Sequence, residues 1–149
     1  MRKIFENEIK LIIPAKSVNE AFARTAVAAF AAQADPSIAD VSELKTAVSE
    51  AVTNAIVHAY SDRADKNKCF IYISCSLSEK GLLRVAIKDK GKGIADVETA
   101  MQPLYTTDPE GERSGMGFTV MKSFSDSLKV RSKVGKGTNV VIEKGLIHY

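Results

Sequence analysis

Between Cys69 and Asp89 the chain alternates apolar and polar residues in two runs joined at Lys80-Gly81. Cys69-Phe70-Ile71-Tyr72-Ile73 and Leu83-Arg84-Val85-Ala86-Ile87 have the period of two that puts apolar side chains on one face of a strand. A β pair of this kind, Cys69 to Ser78 and Leu82 to Asp89, must rest its apolar face on a second layer, and helices can supply it. Two helices are announced upstream. Ser17-Val18-Asn19-Glu20 and Asp40-Val41-Ser42-Glu43 both have the form of a capping box, in which a side-chain oxygen and a carboxylate serve the free N–H groups of a helix start. The first opens a helix to about Gln33 with Ala21, Phe22, Thr25, Ala29 and Ala32 at helical spacing. The second carries Leu44, Val48, Ala51, Val52, Ala55 and Ile56 on one side and reaches about Tyr60.

A strand from Ile4 to Ile13, stopped by Pro14, precedes these helices, and Pro36 breaks the chain between them. The polar stretch Ser61 to Lys68 predicts a loop. From Lys90 to Gly117 five glycines (91, 93, 111, 115 and 117) bracket a polar middle that contains Pro103 and Pro109. Phe118 to Phe124 then reads as a helix, and Ser127 to Val134 with Thr138 to Ile142 as a hairpin around Gly135-Lys136-Gly137. The order predicts an α/β (α+β) two-layer sandwich: a mixed, mainly antiparallel sheet with helices on one face, in a single domain spanning 1–149.

Composition narrows the function classes. A chain of 149 residues with 45% apolar and 26% charged residues suits one hydrophobic core. The net charge is +3, basic residues are interspersed with acidic ones, and no run of five like charges occurs. That argues against direct nucleic-acid binding. The longest purely apolar stretch, Ala26 to Ala32, falls short of a membrane span, and Met1 to Lys10 is charged throughout with no signal-peptide core. The expected location is cytoplasmic, with no membrane contact. Cys69 and Cys75, if on one strand, stand roughly 20 Å apart, beyond disulfide reach.

Three segments carry candidate chemistry. Glu50-Ala51-Val52-Thr53-Asn54 puts a carboxylate and an amide one turn apart on a helix. This is either a solvated pair or a hard-cation site, with Asn54 supplying an oxygen to Mg2+ and Glu50 acting as general base. Asp89-Lys90-Gly91-Lys92-Gly93 follows a strand directly. It is either an ordinary turn or a site where Asp89 accepts the exocyclic amine of adenine and the glycines admit a flat ligand. Glu112-Arg113-Ser114-Gly115-Met116-Gly117-Phe118 is either a flexible loop with a helix start or a phosphate site, with Arg113 neutralising a phosphoryl group. Gln102 to Arg113 has the composition of a lid. Two other phosphate motifs fail. Gly135-Lys136-Gly137-Thr138 has Val130 where a P-loop needs glycine, and Gly91-Lys92-Gly93 is followed by Asp96 where a dinucleotide fingerprint needs a third glycine.

In this order the segments resemble the Bergerat-fold, histidine-kinase-like ATPases. Glu50 to Asn54 is similar to the family's N box, Asp89 to Gly93 to its first glycine box, and Gly115 to Gly117 to its second. Phe22-Ala23-Arg24, Ser49 to Ile56, and Pro103-Leu104-Tyr105-Thr106-Thr107 through Glu112 to Phe118 resemble the anti-sigma serine kinases of spore-forming bacteria. The resemblance implies a homodimer that binds ATP and Mg2+, silences a sporulation sigma factor, and phosphorylates a serine of an anti-anti-sigma factor. By the same resemblance Glu50 is the base and Asn54 the Mg2+ ligand. Asp89, Gly93 and Thr138 hold adenine, and Gly91 is a further nucleotide-binding position. Thr106, Thr107, Arg113, Ser114, Gly115, Met116 and Gly117 lie along the nucleotide, and Arg24 meets the protein partners. Without the resemblance Arg24 reads as a solvated arginine.

His58, four residues after Asn54, reads as structural, and no helix before the ATP site offers a phosphoacceptor, so the acceptor is expected on another protein. This describes a protein serine/threonine kinase acting in trans. The alternatives are a nucleotide-gated binding module without kinase activity, a free-standing ATPase, for which no transducer residues remain, and the related kinase that regulates a general stress sigma factor.

Overall fold

The structure, a computed structural model, describes residues 7–102 and 117–146. The chain runs β1 (Asn7–Pro14), α1 (Val18–Ala31), α2 (Ile38–Asn54), β2 (Phe70–Leu77), β3 (Leu82–Asp89), α3 (Val97–Ala100), α4 (Gly117–Ser123), β4 (Ser127–Lys133) and β5 (Gly137–Gly145). The strands form one sheet in the order β1-β2-β3-β5-β4, and all its pairings are antiparallel. The expected two-layer sandwich is present, and no parallel pair occurs among the described strands.

Register explains the core. Cys75 faces Val85 and Val85 faces Ile142, while Ile73 faces Ile87 and Ile87 faces Val140. These residues alternate with half-exposed neighbours, so one face of the sheet is dry. Leu44, Val48 and Val52 of α2, Val27 of α1 and Met121 of α4 cover that face and are buried. Pro14 ends β1 as a paired residue instead of stopping the strand before it. It is tolerated because β1 is an edge, where a missing N–H costs no ladder bond. Cys69 and Cys75 are free and buried, and burial pushes the Cys75 thiol up to about 12.

Three local expectations are corrected. The apolar residues read from α1 lie on its outer side: Ala21, Thr25, Ala29 and Ala32 are exposed, and Phe22 is 56% exposed. Ala23, Val27, Phe30 and Ala31 face the core instead. Alanines stand on both the inner and the outer side of this helix, so periodicity alone does not choose its face, and the volumes of Val27 and Phe30 decide it. Ser17 has helical dihedrals and no side-chain cap bond. Its expected partner Glu20 engages Arg24 at 3.5 Å and the Ser49 hydroxyl on α2. The second helix is capped by Ser37, whose Oγ accepts the Asp40 N–H at 3.0 Å, so Asp40 lies inside the first turn. The short helix α3 was not anticipated. Among the described residues no helix is long and apolar enough to cross a membrane.

Candidate functional site

The C-terminal ends of α2 and β3 meet at one edge of the sandwich, and the residues that follow each hold the other in place. After Asn54 the helix widens into a π turn, Ala55–Ala59. Such turns expose backbone groups that an α-helix would use internally. Here the Ala59 carbonyl accepts the Lys92 N–H at 2.9 Å. Tyr60, the next residue, is 2% exposed. Its hydroxyl donates to the Phe70 carbonyl at 2.6 Å and accepts the Lys90 N–H at 2.7 Å. The segment after Asp89 is therefore strapped to the end of α2.

Close approach explains the glycines there. A Cβ on Gly91 would lie 2.1 Å from the Ala59 carbonyl oxygen, and one on Gly93, whose φ is +77°, would lie 2.3 Å from the Lys133 carbonyl oxygen. A Cβ on Gly137 would stand 2.1 Å from the Asp89 carbonyl oxygen. Gly91→Ala should consequently destabilise the chain by roughly 1–3 kcal/mol. Urea unfolding checks this, and an unchanged midpoint would show that Ala59 yields freely.

Asp89 closes β3 at 6% exposure. Its Oδ1 accepts the Gly91 N–H at 2.9 Å and the Thr138 N–H at 3.3 Å. Burial raises its pKa, and these two bonds pull the other way. Asp89 is also the register partner of Thr138 on β5. Ser132 completes the frame: its Oγ accepts the Ile94 N–H at 2.7 Å and donates to the Gly137 carbonyl at 3.0 Å. A hydroxyl has one proton, so in the 2.7 Å contact between Ser132 Oγ and Thr138 Oγ1 the donor is Thr138. Neither Ser132 nor Tyr60 was singled out in the sequence. Both act through a register and a tertiary contact that a serine or tyrosine in a strand or helix end does not announce.

Between these elements lies a cleft of about 290 Å³. Its floor is apolar, with Ile87 and Val140 from the sheet and Ala51 and Ala55 from α2 and the turn after it. Asp89 and Thr138 bring polar groups to one end, Asn54 reaches it from α2, and Gly117 and Phe118 border it from α4. His58 lines it as well. A narrow apolar slot with one buried carboxylate fits a flat heterocycle bearing an amine. Asn54 offers a single amide oxygen. Mg2+ takes one or two protein ligands alongside phosphate oxygens and water, so this donor set fits it. Among the described residues no cluster of three His, Cys, Asp or Glu is placed to hold a metal alone.

The structure brings Asn54, Asp89, Gly93, Gly117 and Thr138 together around this cleft, with Gly91 packed behind it on Ala59. Thr106, Thr107, Arg113, Ser114, Gly115 and Met116 lie outside the described residues. Glu50 borders a different, shallower depression of about 590 Å³ between α1 and α2, which it shares with Arg24, Ser49, Lys45 and Ile38. The expected base and the expected partner-binding arginine thus share a surface one helical turn from the Asn54 cleft.

Comparison with known proteins agrees with this geometry. Residues 13–144 match the family described as Histidine kinase-like ATPase domain. Proteins named Anti-sigma F factor from Clostridium beijerinckii and Geobacillus sp. are 52% and 54% identical to the chain, each over 93% of it and over 94% and 92% of their own lengths. Among solved structures, the RsbU and RsbW domains of Rv1364c from Mycobacterium tuberculosis superpose with a TM-score of 0.70 at 17% identity, over 97% of this chain and 34% of that one. A blue-light activated histidine kinase from Erythrobacter litoralis superposes at 0.56 with 23% identity, over 82% of this chain and 40% of that one. Likenesses at these identities speak to the fold, and the sequence relatives to the branch. The chain belongs to the histidine kinase-like ATPase family, within its anti-sigma F factor group.

Proposed function

We propose that this protein is an ATP-dependent anti-sigma factor. In this reading it binds and inhibits a sporulation sigma factor and, as a protein serine kinase, phosphorylates and inactivates the matching anti-anti-sigma factor. The observation that carries the nucleotide half is the buried Asp89 carboxylate at the end of a glycine-walled apolar cleft. The sequence relatives' name supports the sigma-factor half. Asp89 and Thr138 hold adenine, Gly93 borders it, and Gly91, seated on Ala59, fixes the segment that presents them. Asn54 supplies the protein oxygen to Mg2+, which neutralises phosphate charge when bound. Thr106, Thr107, Arg113, Ser114, Gly115, Met116 and Gly117 are assigned to the lid and the phosphates. When the partner's serine hydroxyl attacks the terminal phosphorus, the bond to the β,γ-bridging oxygen breaks and the hydroxyl proton passes to the Glu50 carboxylate. The protein works in the cytoplasm as a homodimer.

Arg24 is the proposed contact for both protein partners. It lies 3.5 Å from Glu20 on a helix that also exposes Val18 and Phe22, a mixed charged and apolar surface of the sort interfaces use. Arg24→Ala should weaken capture of the sigma factor about tenfold or more while nucleotide affinity stays the same. A fall in ATP affinity instead would assign Arg24 to the fold or the cleft.

One observation favours a second reading, a nucleotide-gated binding module. Glu50 borders the depression with Arg24 and not the cleft with Asn54. The deciding experiment is transfer of labelled phosphate from Mg-ATP to a purified anti-anti-sigma protein. Label on a serine supports the kinase, and ATP binding with no transfer supports the module.

A further inference from the structure

Lys144 sits on the inner side of β5, where its side chain is only 7% exposed. Its Nζ lies 2.9 Å from Glu43 Oε2 and 3.7 Å from Asp40 Oδ1, both near the start of α2. It also donates to the Phe124 carbonyl at 3.1 Å, just beyond the end of α4. Buried ion pairs contribute little stability relative to apolar residues of similar volume. This one joins three elements that flank the cleft, at the end of the sandwich remote from it. Thr138, six residues earlier on β5, stands roughly 20 Å away.

The helix so held cannot hold itself. α4 has 7 residues, fewer than an isolated helix needs in water, yet its first two, Gly117 and Phe118, border the cleft. Their position depends on how the other end is fixed. Met121 and Phe118 seat the body of the helix against the core, and three consecutive residues of β5 fix its far end. The Glu143 carbonyl accepts the Asp126 N–H at 2.9 Å, Lys144 reaches Phe124, and the Gly145 N–H donates to Asp126 Oδ2 at 2.7 Å. Of these, the Lys144 ammonium also grips α2, the helix whose last residue is Asn54.

We propose that Lys144 is a positioning residue for the cleft. It sets the spacing of α4 against α2, and with it the part of the cleft beyond the adenine end. The inference rests on the nucleotide reading above. Adenosine and ATP separate the two parts, because adenosine engages only the Asp89–Thr138 end. In Lys144→Met, ATP affinity should fall roughly three- to tenfold while adenosine affinity stays within about twofold, and Lys144→Arg should restore most of the loss. Glu43→Gln, at a half-exposed partner, should shift ATP affinity the same way by a smaller factor, and it carries the test if Lys144→Met does not fold. An equal loss for both ligands would reduce Lys144 to a structural ion pair and overturn the proposal. So would unchanged ATP affinity in the folded variants. A wild-type chain that binds neither ligand would remove the nucleotide reading, and this inference with it.

Discussion

With Asp89 replaced by asparagine, ATP is expected to bind about a hundredfold more weakly, and the loss should depend on the base. Both hydrogen bonds that Asp89 accepts from the chain go to Oδ1. Oδ2 carries none among the described residues and is the acceptor left for an exocyclic amine. Asparagine can keep the Oδ1 bonds, but its NH2 group then meets the amine donor to donor. Losing a charge-assisted bond and stranding a donor together cost about 3 kcal/mol, which is the hundredfold. An inosine nucleotide, with a carbonyl in place of the amine, should bind the variant relatively better than ATP does. Titration of both nucleotides against both proteins tests this, and an unaltered preference would take base recognition away from Asp89.

The same substitution has a consequence for stability, with a defined sign. The folded-state pKa of Asp89 is raised, chiefly by burial. Between the unfolded and folded pKa values the native state therefore binds more protons, and stability falls as pH rises through that window. At neutral pH the ionised carboxylate is a net cost to the empty protein. Asp89→Asn should unfold no earlier in urea than the wild type at pH 7, and its advantage should shrink as pH is lowered toward the ordinary carboxylate range. A variant clearly less stable at pH 7 would mean that the bonds to Gly91 and Thr138 outweigh desolvation.

Glu50→Gln carries the other large effect. The replacement keeps volume and hydrogen-bonding reach but cannot take a proton, so phosphotransfer should drop by about 10²- to 10⁴-fold. ATP affinity should not change, because Glu50 stands outside the cleft. Its place is informative. It precedes Asn54 by one turn of α2 and shares the α1–α2 depression with Arg24. As a base it would meet a hydroxyl arriving on the face that carries Arg24. Quench-flow transfer at saturating ATP separates the effect from binding, and an undiminished rate would leave Glu50 as a polar wall of the α1–α2 depression.

How far the sequence foretold this arrangement depended on whether local chemistry or tertiary contact decides each feature. The β2–β3 hairpin was legible because alternation over Phe70–Leu77 and Leu82–Asp89 fits no helix, and Gly81, with φ of +82°, supplies the turn. Asp89 was legible because it ends a strand, Asn54 because it stands one turn from Glu50 on a helix, and Thr138 through the family resemblance alone. The buried face of α1 was not, since Ala21 and Ala23 are chemically alike and only packing tells them apart. The caps misled because Ser17 and Asp40 both satisfy a box pattern, while the backbone at Ser37 has the extended shape a cap requires. Nothing local marks Lys144 or Ser132 either. A lysine in a strand reads as solvated until the fold places two carboxylates beside it.

The π turn after Asn54 bears on where this fold can change length. Ala59 and Tyr60 hold the Asp89 segment through their own backbone and side-chain atoms. At unchanged winding, one residue removed or added between Asn54 and Tyr60 would turn both contacts about 100° around the axis. That stretch is closed to insertion and deletion. In the polar loop that follows, Ser61 Oγ accepts the Lys92 ammonium at 2.9 Å and Lys66 reaches the Tyr60 carbonyl, so a change of length costs the cleft least between those two residues.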